Sequence, residues 1–379
     1  MPASPGRILT THVGSLPRPP ALRALLLEKD AGKTVDQAEF DRLLADAVNE
    51  TVRRQVAAGI DIVSDGEMGK IAYSTYLADR LSGYGGNGPG TVARDLADFP
   101  DFAKNSGRGL GIRRQLCEGP LALKNPEPLK TDLRNFSAAV AASRPAGAFM
   151  TAASPGVTAY FLRNKYYPSH EAYLAALVPF LRDEYEAIVK AGFDVQLDCP
   201  DLAMARHLGY SDVSEPEFRR LSEASLEALN EATRTVDPAR MRLHLCWGNY
   251  AGPHHYDLPL EAVLPLALKS RAGAISFEGA NPRHEHEWEL FESFRLPEDR
   301  VIVPGVIDSA TNFIEHPRLV AQRIERYARI VGRERVVASV DCGFGTSAAS
   351  QGVDPGIAWA KLGSLAEGAK IASERLWRA

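Results

Sequence analysis

The segment LHLCWGNY, residues 243–250, places a histidine and a cysteine two positions apart, His244 and Cys246. The segment is typical of a β-strand, in which residues i and i+2 leave the same face, so imidazole and thiol would project together. Imidazole and thiol groups are common zinc ligands. The carboxylate of Glu278 and the thiol of Cys342, further along the chain, are two more groups of the types that zinc accepts. Spacing alone leaves a second interpretation open, in which the cysteines are small buried hydrophobic residues and His244 belongs to the core.

Positioning these side chains requires a scaffold, and the chain alternates short apolar strands with amphipathic helices. Strand–helix alternation predicts parallel strands joined by right-handed crossovers, and eight units indicate an α/β fold of the (β/α)8 TIM-barrel type. No glycine-rich nucleotide-binding motif supports an open sheet instead. The predicted strands are residues 8–15, 59–67, 148–156, 194–201, 242–248, 274–280, 301–308 and 336–345. The predicted helices are 35–58, 170–192, 215–236, 258–270, 285–294, 316–332 and 355–377.

The stretch from about 84 to 145 interrupts this alternation, because it is rich in Gly, Pro, Asp and Arg. We interpret it as an insertion between the second and third strands, within a single zinc-dependent barrel domain that spans residues 1–379. Such an insertion would lie over the barrel mouth or in a subunit contact, so a homo-oligomer stays an open expectation.

Active sites of these barrels lie at the C-terminal ends of the strands. The four candidate zinc ligands all fall at predicted strand ends, which favours the metal interpretation. Two Cys, one His and a replaceable carboxylate are typical of a catalytic zinc, since a structural site has four permanent ligands. Other polar residues at these ends are His12, Ser15, Asp65, Glu67, Asp198, Cys199, Asp201, Asp308 and Asp341.

The composition excludes several classes of protein. A net charge of −4 over 379 residues favours neither nucleic acid nor an anionic membrane as a partner. No apolar run is long enough for a transmembrane helix, and the N-terminus has no secretory pattern. A cytoplasmic location is therefore expected, in which the four cysteines would be thiols or metal ligands rather than disulfides.

Several motifs together resemble the C-terminal catalytic barrel of the cobalamin-independent methionine synthases, in their order and over nearly the whole chain. The motifs are THVGSLPRP (11–19), SDGE (64–67), LDCPD (197–201), HLC (244–246), FEG (277–279) and DCGFGT (341–346). The resemblance implies that His244, Cys246, Glu278 and Cys342 bind Zn²⁺. It also implies that Glu67 and Asp198 bind a substrate ammonium group and that Ser15 binds its carboxylate.

The resemblance leads us to expect a zinc-dependent S-alkyltransferase, most simply one that transfers a methyl group to homocysteine and forms methionine. Glu278 would be displaced by the substrate thiol and return as the product leaves. The segment GVIDSATNF (305–313) keeps the family's Asp308, a candidate catalytic residue, but has Ala310 where the synthases have a histidine. The 379 residues leave no room for the second, N-terminal barrel of the full-length synthases, so we expect the resemblance to be to stand-alone members, which include short methionine synthases and epoxyalkane:coenzyme M transferases.

Alternatives therefore remain for the thiol, the donor and the reaction. The thiol is homocysteine or coenzyme M, and the donor is methyltetrahydrofolate, a methylcobalamin protein or an epoxide. A sulfonate would need cations, for which Arg18, Lys70, Arg163 and Arg283 are candidates, although each is expected to be a surface charge. A lyase like uroporphyrinogen decarboxylase, or a non-catalytic zinc protein, is the alternative from another class.

Aromatic residues and a histidine-rich segment give two further expectations. Trp247 is a candidate for lining the substrate pocket. The segment HEHEWE (284–289) offers a second set of metal ligands, but its predicted amphipathic helix would turn His284, Glu285 and Glu287 mostly toward solvent. We therefore expect no metal there.

Overall fold

The computed structural model describes residues 6–88, 93–105, 114–350 and 352–378, so the middle of the predicted insertion lies partly outside the described residues. Its ten strands are β1 (Leu9–Thr10), β2 (Ile62–Val63), β3 (Leu81–Gly88), β4 (Arg114–Leu123), β5 (Gly147–Ala153), β6 (Asp194–Asp198), β7 (Met241–His244), β8 (Ala274–Phe277), β9 (Val301–Ile307) and β10 (Val337–Val340). Each barrel strand is shorter than its predicted segment, because the residues that follow it turn into loops at the barrel mouth.

Eight of the strands form the predicted barrel. Their order is β1-β10-β9-β8-β7-β6-β5-β2, and every neighbouring pair is parallel. The ends of this sheet meet where the Asp61 amide donates to the Thr10 carbonyl at 3.2 Å and Thr11 Oγ1 donates to the Ile62 carbonyl at 3.0 Å. The (β/α)8 TIM-type barrel is thereby confirmed.

Fourteen α-helices lie in the described part of the chain. They are α1 (Pro20–Asp30), α2 (Gln37–Ala57), α3 (Tyr76–Arg80), α4 (Arg94–Ala97), α5 (Pro100–Asn105), α6 (Glu127–Ser143), α7 (Pro155–Phe161), α8 (His170–Lys190), α9 (Ala205–Leu208), α10 (Glu215–Ala232), α11 (Leu260–Ala267), α12 (Leu290–Ser293), α13 (Pro317–Val331) and α14 (Pro355–Trp377). None of these described helices is long and apolar enough to cross a membrane.

The major helices begin at side chains that the sequence places correctly for capping. Ser169 Oγ accepts from the Ala172 amide at 3.1 Å before α8, and Ser214 Oγ accepts from the Glu217 amide before α10. Asp354 does the same for α14, whose first residue is a proline. These caps satisfy amide groups that the first helical turn leaves unpaired, so each helix has a defined start above its strand.

The excursion between β2 and β5 contains its own structure. β3 and β4 pair as an antiparallel ribbon, separate from the barrel sheet. Helix α6, which lies within the predicted insertion of 84–145, packs against α2 on the outside of the barrel. The description of residues 1–379 as one domain with this insertion stays a prediction.

The loop after β9 is held by a buried ion pair. Lys361 of α14 is fully buried, and its Nζ lies 3.0 Å from both carboxylate oxygens of Glu315. Nζ also donates to the Asp308 carbonyl at 2.9 Å, while Glu315 Oε1 accepts from the Asp308 amide at 2.9 Å. The ion pair therefore fixes the backbone of Asp308 at the barrel mouth.

Replacing Glu315 with Gln is expected to lower the free energy of unfolding by about 3–5 kcal/mol, because the Lys361 charge would stay buried without its partner. The matched control is Glu334→Gln, which removes the exposed ion pair with Arg333 and should cost less than about 1 kcal/mol. Urea denaturation of both variants measures the difference. Equal destabilisation of the two variants would contradict a structural role for the buried pair.

Candidate functional site

Three of the four predicted zinc ligands meet at the barrel mouth. His244 is the last residue of β7, Cys246 lies two residues beyond it, and Cys342 follows the end of β10. The Sγ atoms of Cys246 and Cys342 are 3.6 Å apart, and the possible ligand atoms of all three residues lie within 4.8 Å of one another. All three side chains are buried. The strand ends therefore bring together residues that are almost 100 positions apart in sequence.

The state of His244 fits a metal ligand. Neither of its ring nitrogens has a hydrogen-bond partner among the described residues, although the side chain is buried. Burial, together with the nearby positive charge of Arg242, lowers the pKa of His244 to about 3. The imidazole is therefore neutral and has a free lone pair for a metal, which would supply the partner that a buried polar group requires.

The two thiols also fit zinc. The hydrogen bond with Cys342 Sγ, and then burial, raise the pKa of Cys246, and repulsion between two adjacent thiolates would add to this effect. The Gly248 amide donates to Cys246 Sγ at 3.3 Å and so favours negative charge on that sulfur. A divalent cation among two sulfur atoms and one imidazole would remove the repulsion, and this donor set suits zinc.

Glu278, the fourth predicted ligand, lies next to this group but outside it. Its Oε1 accepts from the Trp247 amide at 2.9 Å, and its Oε2 accepts from Asn281 Nδ2 at 3.1 Å. The carboxylate is buried immediately after β8. Because it is held by its own hydrogen bonds, Glu278 suits a replaceable ligand, and its roles as ligand and catalytic residue stay predictions.

Two further residues hold the ligand loops together. Asp341 is buried, and its Oδ1 accepts from the amides of Gly279 and Ala280, both at 2.9 Å. Asn249 Nδ2 donates to the Gly343 carbonyl at 2.6 Å, and its Oδ1 accepts from Ser309 Oγ at 3.1 Å. The loops after β7, β8, β9 and β10 are thus joined around the donor group, which keeps the ligand side chains in position.

The predicted ammonium site is a pair of buried carboxylates. Glu67 Oε1 accepts from Thr151 Oγ1 at 2.8 Å, whereas Glu67 Oε2 has no partner among the described residues. Asp198 Oδ1 accepts from Gln196 Nε2 at 2.7 Å. Burial, and then the charge of Glu67, raise the pKa of Asp198 well above its ordinary value. The pair therefore favours a cation between the two carboxylates.

Backbone geometry at Glu67 also indicates a functional position. Its φ is 55°, in the left-handed region that non-glycine residues rarely adopt. Arg18 Nη2 donates to the Glu67 carbonyl at 2.9 Å, and the Lys70 amide donates to the same carbonyl at 3.1 Å. Strain of this kind persists only where surrounding contacts impose it, and it is common at binding sites.

Ser15 lies beside the Cys342 loop. The Ser15 carbonyl accepts from the Phe344 amide at 2.9 Å, and a Cβ on Gly343 would collide with Ser15 Oγ. The preceding Gly14 has a φ of 127°, and a Cβ there would collide with Thr151. The glycine of the motif VGS is therefore required for steric reasons. The motif places Ser15 at the edge of the site. Binding of a substrate carboxylate by Ser15 stays a prediction.

Two other predicted site residues, Trp247 and Asp308, make hydrogen bonds to the protein backbone. Trp247 is fully buried, and its indole N–H donates to the Leu258 carbonyl at 2.6 Å. Asp308 Oδ1 accepts from the amides of Ala310 and Thr311 and so shapes the loop after β9. Substrate binding by Trp247 and catalysis by Asp308 stay predictions.

The expectation that His284 and Glu287 face solvent is wrong, because both side chains are buried. The segment forms a short 3-10 helix, Glu285–Glu289, rather than a regular amphipathic helix, and it turns inward. His284 Nδ1 lies 2.9 Å from Glu287 Oε2, and Nε2 lies 3.0 Å from Asp257 Oδ2. The imidazole also packs on Trp247, with ring centroids 4.4 Å apart.

Similarity to known proteins agrees with this geometry. The family described as "Cobalamin-independent synthase, Catalytic domain" matches residues 8–93 and 130–355. The chain belongs to this family. The family matches both the strand ends that carry the candidate ligands and those that carry the carboxylates, so the resemblance found from the motifs is confirmed.

Individual relatives cover nearly the whole chain. A methionine synthase of Saccharolobus islandicus (strain Y.N.15.51) is 27% identical over 370 residues, which is 97% of this chain and 96% of the relative. A methionine synthase of Sulfolobus acidocaldarius is 28% identical over 338 residues, which is 88% of this chain and 85% of the relative. The solved B12-independent methionine synthase from Shewanella sp. W3-18-1, in complex with selenomethionine, has the same fold. It superposes with a TM-score of 0.76 at 21% identity, covering 98% of this chain and all of that one.

The buried histidine gives a prediction about stability and pH. Burial acts to lower the pKa of His284, but its hydrogen bonds to Asp257 and Glu287 outweigh this and raise the pKa to about 10. A raised pKa adds stability that is complete below the unfolded value, near 6.5, and is lost as the pH rises through about 10.

His284→Gln is therefore expected to destabilise the protein more at pH 6 than at pH 10, as measured by urea denaturation at both values. The control is His286→Gln on the same 3-10 helix, since His286 is exposed. A His284→Gln penalty that is equal at the two pH values would contradict a charged imidazole.

Proposed function

We propose that this chain is a zinc-dependent methyltransferase that methylates the sulfur of homocysteine and so forms methionine. The observation that carries the proposal is a buried site with two different ends. One end groups His244, Cys246 and Cys342, and the other pairs Glu67 with Asp198. A homocysteine molecule has a sulfur for the first end and an ammonium group for the second. The family, and the relatives named methionine synthases, support the same reaction.

At the sulfur end, a bound zinc ion would supply positive charge that keeps a coordinating thiol deprotonated at neutral pH. His244 and the two cysteines would hold the ion, and the neutral imidazole would leave the centre electron-rich. Glu278 accepts hydrogen bonds from the Trp247 amide and from Asn281, so its carboxylate would keep partners if a substrate thiol took its place as a ligand. The acceptor sulfur would then attack the methyl carbon, and the donor's leaving group would depart with the bonding electron pair.

At the ammonium end, the buried carboxylates of Glu67 and Asp198 would attract a positive group. Glu67 Oε2 lacks a partner among the described residues, so it is free to accept a hydrogen bond from the substrate. Burial, more than any charge, raises the pKa of Glu67, and a bound ammonium would reverse that shift. The binding of the amino group therefore orients the rest of the homocysteine molecule.

The site fits coenzyme M, the alternative thiol, less well than it fits homocysteine. The expectation that Arg18 and Lys70 are surface charges is wrong, because both side chains are buried. Most of their donors are already engaged: Arg18 Nη1 donates to the Gly345 carbonyl and Lys70 Nζ donates to the Thr151 carbonyl at 2.8 Å, whereas Arg18 Nε lacks a partner among the described residues. A sulfonate beside Glu67 and Asp198 would meet two carboxylates, which favours homocysteine over a sulfonated thiol.

Replacing Cys246 with Ser is expected to remove both zinc and activity, since the hydroxyl is a poor zinc ligand. Zinc per chain, measured by plasma mass spectrometry, should fall from about one to near zero. The control is Cys117→Ser, because Cys117 is a buried free thiol on β4, away from the donor group, and should keep zinc. A metal-free Cys246→Ser protein that still methylates homocysteine would exclude the proposed mechanism.

Replacing Glu67 with Gln is expected to raise the Kd for homocysteine on the order of 10- to 100-fold, because a charged hydrogen bond to the ammonium is lost. Calorimetric titration of the zinc-loaded protein measures this. The comparison ligand is 4-mercaptobutyrate, which is homocysteine without its amino group, and Glu67→Gln should not weaken its binding. If both ligands lose affinity equally, Glu67 does not bind the ammonium group.

A further inference from the structure

Tyr73 is a second hydroxyl residue at the site, and sequence motifs did not point to it. It lies six residues after Glu67 and begins the 3-10 helix Tyr73–Thr75. Within the described part of the chain, neither the Tyr73 hydroxyl nor the Ser15 hydroxyl makes a hydrogen bond to protein. Both can therefore donate to a ligand.

The position of Tyr73 is fixed from two sides. The preceding residue, Ala72, forms an antiparallel bridge with Ser347, and the Ala348 amide donates to the Ile71 carbonyl at 2.8 Å. These bonds join the loop after β2 to the loop after β10. The Tyr73 ring is partly buried and packs edge-on against Phe161 of α7, with centroids 6.4 Å apart. The ring is thus anchored while its hydroxyl stays unpaired.

The Tyr73 ring lies at the barrel mouth. It packs against the cluster that contains Ala153, the last residue of β5, and Met204, whose amide donates to the Cys246 carbonyl at 3.2 Å. Burial raises the pKa of Tyr73 well above its ordinary value, and the nearby groups that act in the same direction are Cys246, Asp198, Cys342 and Glu67. A phenol is neutral at neutral pH in any case, so its hydroxyl can donate to an anionic group of a ligand.

An amino-acid substrate creates a problem that such a donor solves. Homocysteine brings a carboxylate as well as an ammonium group, and the carboxylate enters a site lined by Glu67, Asp198 and two thiols. Among the buried cations nearby, Arg18 Nη1, Arg18 Nη2 and Lys70 Nζ already donate to backbone carbonyls, whereas Arg18 Nε lacks a partner among the described residues. Neutral hydroxyl groups that have no protein partner are further donors for the substrate carboxylate.

We propose that Tyr73 is a substrate-binding residue whose hydroxyl donates a hydrogen bond to the α-carboxylate of the amino-acid thiol, opposite Ser15. This inference rests on the proposed function, since it requires a substrate that carries a carboxylate. A hydroxyl that binds the carboxylate near both the sulfur end and the ammonium end would also select thiols in which these three groups branch from one short chain.

The test compares Tyr73→Phe with wild type on two thiols. Homocysteine should bind Tyr73→Phe on the order of 10- to 100-fold more weakly, and its KM should rise by the same factor while kcat stays within about twofold. The second thiol is 3-mercaptopropylamine, which is homocysteine without its carboxylate. Its Kd should be the same for both proteins, because the hydrogen bond that Tyr73 contributes has no acceptor in that ligand.

Zinc content and thermal stability should be unchanged in Tyr73→Phe, and Tyr166→Phe, at an exposed tyrosine, is the matched control. Equal weakening for both thiols, or a fall in kcat with unchanged KM, would overturn the carboxylate assignment. Wild-type binding of homocysteine with no effect of Tyr73→Phe would overturn it also, while leaving the proposed function intact. A zinc-loaded wild type that binds neither thiol would overturn the proposed function and the Tyr73 assignment together.

Discussion

The site's geometry depends on the buried guanidinium of Arg242, which lies inside the barrel one layer below His244. It donates to Thr11 Oγ1 at 3.0 Å, to the His12 carbonyl at 2.6 Å and to Gln196 Oε1 at 2.7 Å. These bonds connect the ends of β1, β6 and β7 through the barrel interior. Burial lowers the pKa of Arg242 to about 9, yet the group stays charged at neutral pH. A buried charge needs compensation, and the carboxylates of Asp198 and Asp194, at the two ends of β6, contribute to it.

Charge balance then explains why the two ends of the site share one mouth. Gln196, which accepts from Arg242, donates in turn to Asp198 Oδ1, so the buried cation and the carboxylate proposed to bind the substrate ammonium belong to one hydrogen-bonded series. The same cation helps to keep His244 neutral. One fixed charge therefore favours a free imidazole lone pair at the sulfur end, and at the ammonium end it partly offsets the burial that raises the pKa of Asp198. Zinc and a substrate ammonium would complete the balance.

The sequence predicts the barrel and the metal donors because both depend on local patterns. Alternating strands and helices specify the fold, and parallel strands oblige His244, Cys246 and Cys342 to meet at one edge. The sequence does not predict how far each strand extends. β1 and β2 are two residues long, because the loops that follow them exchange bonds such as that from the Leu16 amide to the Gly66 carbonyl. These contacts are tertiary and have no periodic signal.

The residues whose positions the sequence did not predict have one property in common: each contacts residues of loops that are distant in sequence. His284 looks like a solvent-facing helical residue until Asp257 and Trp247 are brought beside it. Tyr73 follows a strand in an irregular stretch, and the bridge from Ala72 to Ser347 joins this stretch to the loop after β10. The periodic spacing of hydrophobic residues predicts which apolar side chains are buried, but it does not predict whether a polar side chain is buried. The chemical role of such a side chain depends on which strand ends lie near it. Closure of the barrel, rather than the local sequence, determines which strand ends those are.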